Sequence, residues 1–399
     1  MLAGSLGGLT SFYLLLSVVP LYAASGSGSG TRAGIATGVL MLTTVAAELA
    51  MPRLAAAFGY RRLLAAGLIL LGAPALVLIA SRGLAVIVLV CAVRGLGFAI
   101  IVVTGGALVP ALVPADRRGE GLGLFGIVAG VPAVVALPLG VWLAHHAGYP
   151  LVFALGAATA LAALAVTGKL PRSGPLPDRS DGVIAGLREP GLRRPALAFS
   201  ATAMASGVVV TFLPLAVTRS SGNLAAIALL IQPAAATAAR WWAGRHGDRH
   251  GAVRLLVPGV AAAAAGMLAL VLRTSPAAVL GGMVLFGAGF GVSQNASMAH
   301  MLGQVPARRY GTVSAIWNLA YDAATGAGAL GFGLVASGTG YAAGFAITAA
   351  VMMTALVPAA LAGQDDGRAG QDSEAAADVQ VPLQEPPHSG PRTGGGHRD

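Results

Sequence analysis

Long apolar runs alternate with short polar breaks along the whole chain, and the runs have the length of helices that cross a bilayer. Bounded by Gly, Pro and charge, they fall at 2–24, 33–55, 62–80, 84–112, 122–144, 150–168, 195–217, 223–243, 253–272, 277–302, 310–336 and 342–362. A helix needs about 20 apolar residues to span the hydrocarbon, so the pattern predicts an all-α membrane protein with twelve spans. No run shows the period-two alternation of a barrel strand. Gly and Pro inside several runs fit lipid, where neighbouring helices satisfy the freed backbone groups. The first run, ending near Tyr22-Ala23-Ala24, reads as a membrane helix and not a secretory signal. No basic segment precedes it, and it is longer than a signal's apolar core.

The polar segments set the organisation. Residues 170–194, rich in Pro, Gly and charge, divide the spans six and six. They are expected to link an N-terminal bundle, 1–169, to a C-terminal bundle, 195–362. Residues 363–399 lack apolar periodicity and predict a disordered cytoplasmic tail. The halves resemble each other at an offset of 192 residues, which carries Gly59 in Phe58-Gly59-Tyr60-Arg61-Arg62 onto Gly251 in Asp248-Arg249-His250-Gly251, and Glu48 onto Arg240. Pro20 and Pro214 match within two residues of that shift. Parallel repeats of this kind are a mark of transporters.

Composition narrows the classes. Hydrophobic residues make up 56% against 10% charged, too little charge to cover a soluble exterior. The net charge of +10 invites a nucleic-acid partner, but the basic residues lie between apolar runs rather than on a soluble domain. Of the 25, sixteen fall in alternate breaks and span ends that include both termini's side, and four on the other side. That bias places both termini in the cytoplasm of a multi-pass protein of the cell membrane. One cysteine excludes a disulfide scaffold or Cys cluster. The histidines lack a ligand pattern, with His145 and His146 adjacent and His246 and His250 in a basic loop. No metal or cofactor is expected. No G-x-x-x-x-G-K-[ST], H-E-x-x-H or G-x-S-x-G arrangement occurs, so neither direct ATP use nor intramembrane enzyme chemistry is expected.

Charge inside a bilayer is costly and marks candidate function. Apart from Arg53, Arg62 and Arg254 at the inner span ends, four such residues lie within spans: Glu48, Arg94, Arg240 and Asp322. Two acids and two bases suggest pairing. Asn318, Asp322 and Gly326 recur every four residues and share one helix face. A carboxyl in low dielectric that meets water from each side in turn can carry a proton across, which makes Asp322 the first proton-coupling candidate, with Glu48 and Arg94 beside it. Ser293, Gln294 and Asn295 form a neutral polar cluster midway along span ten, and Asn318, Tyr13, Thr104 and Gln232 are further groups able to orient a substrate.

The tract Gly244-Arg245-His246-Gly247-Asp248-Arg249-His250-Gly251 resembles the loop motif G-x-x-x-D-R-x-G of the major facilitator superfamily, over essentially residues 1–362. The corresponding first-half tract departs from it, with Pro52 in place of the first Gly and Ala56 in place of the Asp, while Gly59 and Arg61 keep its ending. Arg94-Gly95-Leu96-Gly97 resembles the family's intramembrane arginine motif. Gly126, Gly130, Pro132, Pro138 and Gly140 partly resemble the Gly/Pro motif of its antiporters. The resemblance implies two pseudo-symmetric six-helix bundles, alternating access, and a cavity lined by helices one, four, seven and ten. It implies a gating role for Gly244, Asp248, Arg249, Gly251 and Arg240, and a part for Arg94 in proton transfer or in holding a carboxylate. The function expected is proton-coupled efflux of an amphipathic small molecule, a drug or secondary metabolite, neutral or weakly cationic, by a monomer. Its rivals are import of a small polar solute and a non-transporting sensor or scaffold on the same fold.

Overall fold

The computed structural model describes residues 2–25, 30–112, 118–168, 183–217, 223–306 and 309–364. Most of the expected linker, 170–182, and all of the expected tail beyond 364 lie outside these residues. Every long apolar run is helical, and the described residues contain no strand. The helices are α1 (Leu2–Ser25), α2 (Gly30–Phe58), α3 (Tyr60–Ala80), α4 (Leu84–Leu112), α5 (Arg118–His146) and α6 (Tyr149–Thr167). The second half holds α7 (Pro190–Ala216), α8 (Leu224–His250), α9 (Ala252–Leu272), α10 (Pro276–Gly303), α11 (310–339) and α12 (341–364). The last two form one helical run, Tyr310–Gln364, bent at Gly340.

Two boundaries correct the sequence reading. Helix α7 begins at Pro190, five residues before the expected bundle, because Pro at a helix's first position forfeits only an N–H that has no helical partner. The basic segment containing His246 and His250 is not a loop. Helix α8 stays intact through His250, and Gly251 alone makes the turn into α9 with φ at 90°. Asp248, Arg249 and His250 are exposed on that last turn, and Asp248 makes no ion pair among the described residues.

The repeat is legible in backbone geometry. Among the described residues the positive-φ glycines are Gly59, Gly148, Gly251 and Gly340, and each member of the first half lies 192 residues before its mate. The same offset relates two close helix contacts. A Cβ on Gly95 would run into the Leu40 carbonyl oxygen of α2, and one on Gly287 into the Gln232 carbonyl oxygen of α8. Leu40 and Gln232 are themselves 192 apart. Small residues let backbones approach this closely, which is how helices adhere in lipid, where apolar burial supplies no drive.

At Gly148 and Gly340, φ near +80° combines with ψ of 161° and 165°, a region open essentially to glycine alone, where other residues cost about 1–3 kcal/mol. Gly148→Ala and Gly340→Ala should each lower the thermal unfolding midpoint of the purified protein. Gly338→Ala, with open space around the added methyl and no positive φ, should not.

Between halves, α2 packs on α11 and α5 on α8, the two contacts that the 192-residue shift exchanges. The α2–α11 contact is closest at the end carrying the α1–α2 and α11–α12 turns. Gly30, Gly34 and Gly38, one turn apart on α2, meet Gly333, Ala329 and Leu330 on α11. The Thr37 and Thr211 hydroxyls hydrogen-bond at 2.9 Å between α2 and α7, and the Thr31 hydroxyl donates to the Gly333 carbonyl at 3.4 Å.

At the opposite end, a one-turn helix, Val183–Gly186, packs on α11, and Arg309 donates two hydrogen bonds to Glu189, at 3.1 and 2.5 Å. The Arg309 guanidinium holds the Glu189 carboxyl below its ordinary value. The pair therefore contributes fully above the unfolded carboxylate range, about 4.3, and its contribution fades as pH falls through the lowered native value. With the Glu189 side chain 44% exposed, Glu189→Gln should cost under about 1 kcal/mol. Thermal unfolding of the two proteins should differ at neutral pH and converge in acid.

Candidate functional site

A cavity of about 190 Å³ lies between the halves, walled by residues of α1, α2, α4, α5, α7, α8, α10 and α11. Helices α3, α6, α9 and α12 contribute none of its described lining and buttress the bundles from outside. The four cavity helices implied by the resemblance are thus joined by the four interface helices. Of the sequence candidates, Tyr13, Gln232, Gln294, Arg240 and Asp322 reach the wall. The aromatic lining, Phe12, Phe98, Phe290 and Tyr321, was not anticipated, and neither was Ser206. Phe98 and Phe290 are 192 apart, a signal present in the repeat. Tyr321 carries none beyond its position next to Asp322.

The remaining candidates lie elsewhere. Asn295 sits beside Gly244 at the α8–α10 contact. Asn318 is half-buried on α11, one turn from Asp322, outside the wall. Thr104 is fully buried within the N-terminal half, and no protein group bonds its hydroxyl. Arg94 is 1% exposed and donates to the carbonyls of Leu71 in α3, at 2.5 Å, and Ser11 in α1, at 3.3 Å. The 3₁₀ turn Ala73–Leu76 and Pro74, which lacks an N–H, loosen the α3 ladder beside Leu71. Arg94 therefore staples three helices of one bundle, and no ion pair to a carboxylate is seen for it among the described residues. Asp248, Arg249 and Gly251 stand at the far end of α8, away from Arg240 in the cavity wall, and Gly244 lies one turn beyond Arg240.

The acids and bases do not pair as their numbers suggested. Glu48 of α2 and Asp322 of α11 stand close enough across the interface between halves for their carboxyls to interact. Both Glu48 oxygens are buried, and no donor group bonds either. Two ionised carboxylates offer only lone pairs, so a bond between them requires a proton on one. Low dielectric also makes two adjacent negative charges costly. Asp322 opens on the cavity while Glu48 stands behind it. Arg240 lies in the same wall, within electrostatic reach of Tyr13 and Tyr321, and Tyr13 senses both Arg240 and Asp322. The cavity thus has an acidic side at α2–α11 and a basic side at α8, separated by phenols.

The family model of the Major Facilitator Superfamily matches residues 1–329 and, in a second alignment, 196–391. The chain belongs to that superfamily. Among solved structures, a bacterial homologue of the human lysosomal transporter Spinster, inward-facing and occupied, aligns with a TM-score of 0.74 at 15% identity, over 91% of this chain and 95% of that one. The xylose transporter XylE from E. coli aligns at 0.70 and 14%, over 89% and 95%. The nucleoside transporter NupG aligns at 0.69 and 14%, over 90% and 98%. No curated protein sequence matches the chain. As a member of the superfamily the protein is a multi-pass membrane transporter of small molecules, with twelve helices in two six-helix halves.

Proposed function

We propose that the protein exports an amphipathic small molecule from the cell in exchange for protons, by alternating access. The observation that carries this reading is the pair of carboxyls, Glu48 and Asp322, one from each half, meeting beside the cavity. A proton held between two bodies that move against each other is tied to their relative position, which is the physical requirement for coupling. Aromatic walls around a few polar groups suit an amphipathic guest. The moving bodies are the N-terminal bundle, residues 1–169, and the C-terminal bundle, which opens with α7 at Pro190, joined by a cytoplasmic segment. Both termini are cytoplasmic, the protein works as a monomer in the cell membrane, and the residues beyond 362 form a cytoplasmic tail. The small-residue contact of α2 with α11 is then the extracytoplasmic gate, in its closed position. Asp248 and Arg249 lie at the cytoplasmic face, where charge on the α8 end can act on the other bundle.

Inverted membrane vesicles test the reading. Substrate uptake should rise when the lumen is made acid and collapse with a protonophore. Uptake indifferent to the gradient would exclude proton coupling, and uptake only in right-side-out vesicles would exclude export.

A further inference from the structure

Arg240 is half-buried in the cavity wall, and among the described residues it makes no hydrogen bond and no ion pair; the phenols of Tyr13 and Tyr321 lie within its electrostatic reach. A guanidinium that lines a narrow cavity with no ion pair to the protein leaves its charge for an anionic guest. The repeat makes the gap specific. The mates of the facing pair Glu48 and Asp322 are Arg240 and Gly130, so where one interface has a second carboxyl the other has glycine. Gly130 lines the cavity, and a Cβ built there would meet nothing within 4 Å. Gln294 adds a buried amide oxygen on the wall that no protein donor satisfies.

We infer that the cavity recognises a small aromatic zwitterion, its anionic group on Arg240, its protonated amine on Asp322 and its ring among Phe12, Phe98 and Phe290. This rests on the exchange reading above and narrows it. Charge balance favours the zwitterion over simpler guests. An amine docking on Asp322 displaces the proton shared with Glu48, so guest and proton compete, as exchange requires. A lone anion would bind best with the acids protonated and would travel with the proton. A lone cation would leave Arg240 without a counter-charge. A cavity of about 190 Å³ sits below the usual range for drug-sized ligands, about 300–1,000 Å³, and suits a single-ring molecule.

Four probes of one skeleton separate these possibilities: phenylalanine, its methyl ester, N-acetylphenylalanine, and N-acetylphenylalanine methyl ester. Calorimetry with the purified full chain, at about pH 6 to keep free amines protonated, gives each affinity, and a weakly buffered repeat gives proton release. Phenylalanine should bind tightest, with the ester and the N-acetyl acid each at least about tenfold weaker. Arg240→Gln should erase the preference for phenylalanine over its ester, and Arg240→Lys should keep it. The wild-type series stands alone if Arg240→Gln does not fold. The inference is overturned if the ester binds as well as phenylalanine, if Arg240→Gln leaves the preference intact, or if none of the four binds. Phenylalanine binding without proton release would keep the zwitterion and remove exchange. Ester binding with proton release and no dependence on Arg240 would do the reverse.

Discussion

Asp322→Asn should abolish gradient-driven accumulation, so that any substrate movement it retains runs only down the substrate's own gradient. One proton moving down one pH unit supplies about 1.4 kcal/mol, a tenfold accumulation. A protein that couples one proton per cycle should therefore gain about tenfold per pH unit, and the Asn variant nothing. The reason is chemical. An amide matches the protonated carboxyl in size and still bonds Glu48, so the interface stays packed, but it cannot release a proton to the cavity. Glu48→Gln differs, because Glu48 stands behind Asp322 and off the wall. It should leave accumulation in place with a displaced pH profile, since Asp322 then exchanges its proton without a charged neighbour. Accumulation measured in inverted vesicles at several lumenal pH values separates the variants. A fully coupled Asp322→Asn would move the proton site elsewhere.

Gly34→Val should hold the α2–α11 gate open. Even the first added carbon on Gly34 would lie 2.6 Å from the Ala329 carbonyl oxygen, a backbone atom that no rotamer change removes. Overpacking of this kind costs about 1–3 kcal/mol, which shifts a two-state balance by about 5- to 150-fold. Thr37, 2% exposed beside the contact, supplies the reporter. A Thr37→Cys protein carries one other thiol, Cys91, buried at 1%, so the background is low. An impermeant maleimide applied to intact cells should label Thr37→Cys slowly, and the Thr37→Cys, Gly34→Val double variant many-fold faster. Equal rates would mean that the glycines do not form a gate. Labelling of neither protein from outside, with labelling in inverted vesicles, would reverse the proposed orientation.

Helix content, span count and repeat were readable because bilayer thickness and apolar run length are one-dimensional quantities. The offset that pairs Gly59 with Gly251 also pairs Gly67 with Gly259, Gly95 with Gly287, Gly97 with Gly289 and Gly148 with Gly340, so the chain already contains the pseudo-symmetry. What a given glycine meets could not be read this way. Gly95 and Gly287 touch carbonyls 55 residues before them, and such contacts depend on helix rotation, which the weak amphipathicity of lipid-facing helices leaves undetermined. The same gap explains Arg94. A basic residue among glycines within a span is conspicuous, but whether it meets a carboxylate or two backbone carbonyls depends on the irregular turn at Pro74.

Asp322 and Glu48 were each conspicuous as charges in apolar runs, yet their sequence separation of 274 residues conceals their meeting. Opposite charges were the natural partners to expect, because attraction lowers the cost of burial. The packing instead brings acid near acid across one interface, while the repeat puts Arg240 and Gly130 at the corresponding positions of the other. Linear order thus determined the class of protein, its crossings, its duplication and its short roster of intramembrane charges, since each follows from solvation of the chain in lipid. Only tertiary packing decided which charges come together, which face the cavity and where α2 and α11 touch most closely, because these depend on the rotation of rigid helices about axes that solvation alone does not set.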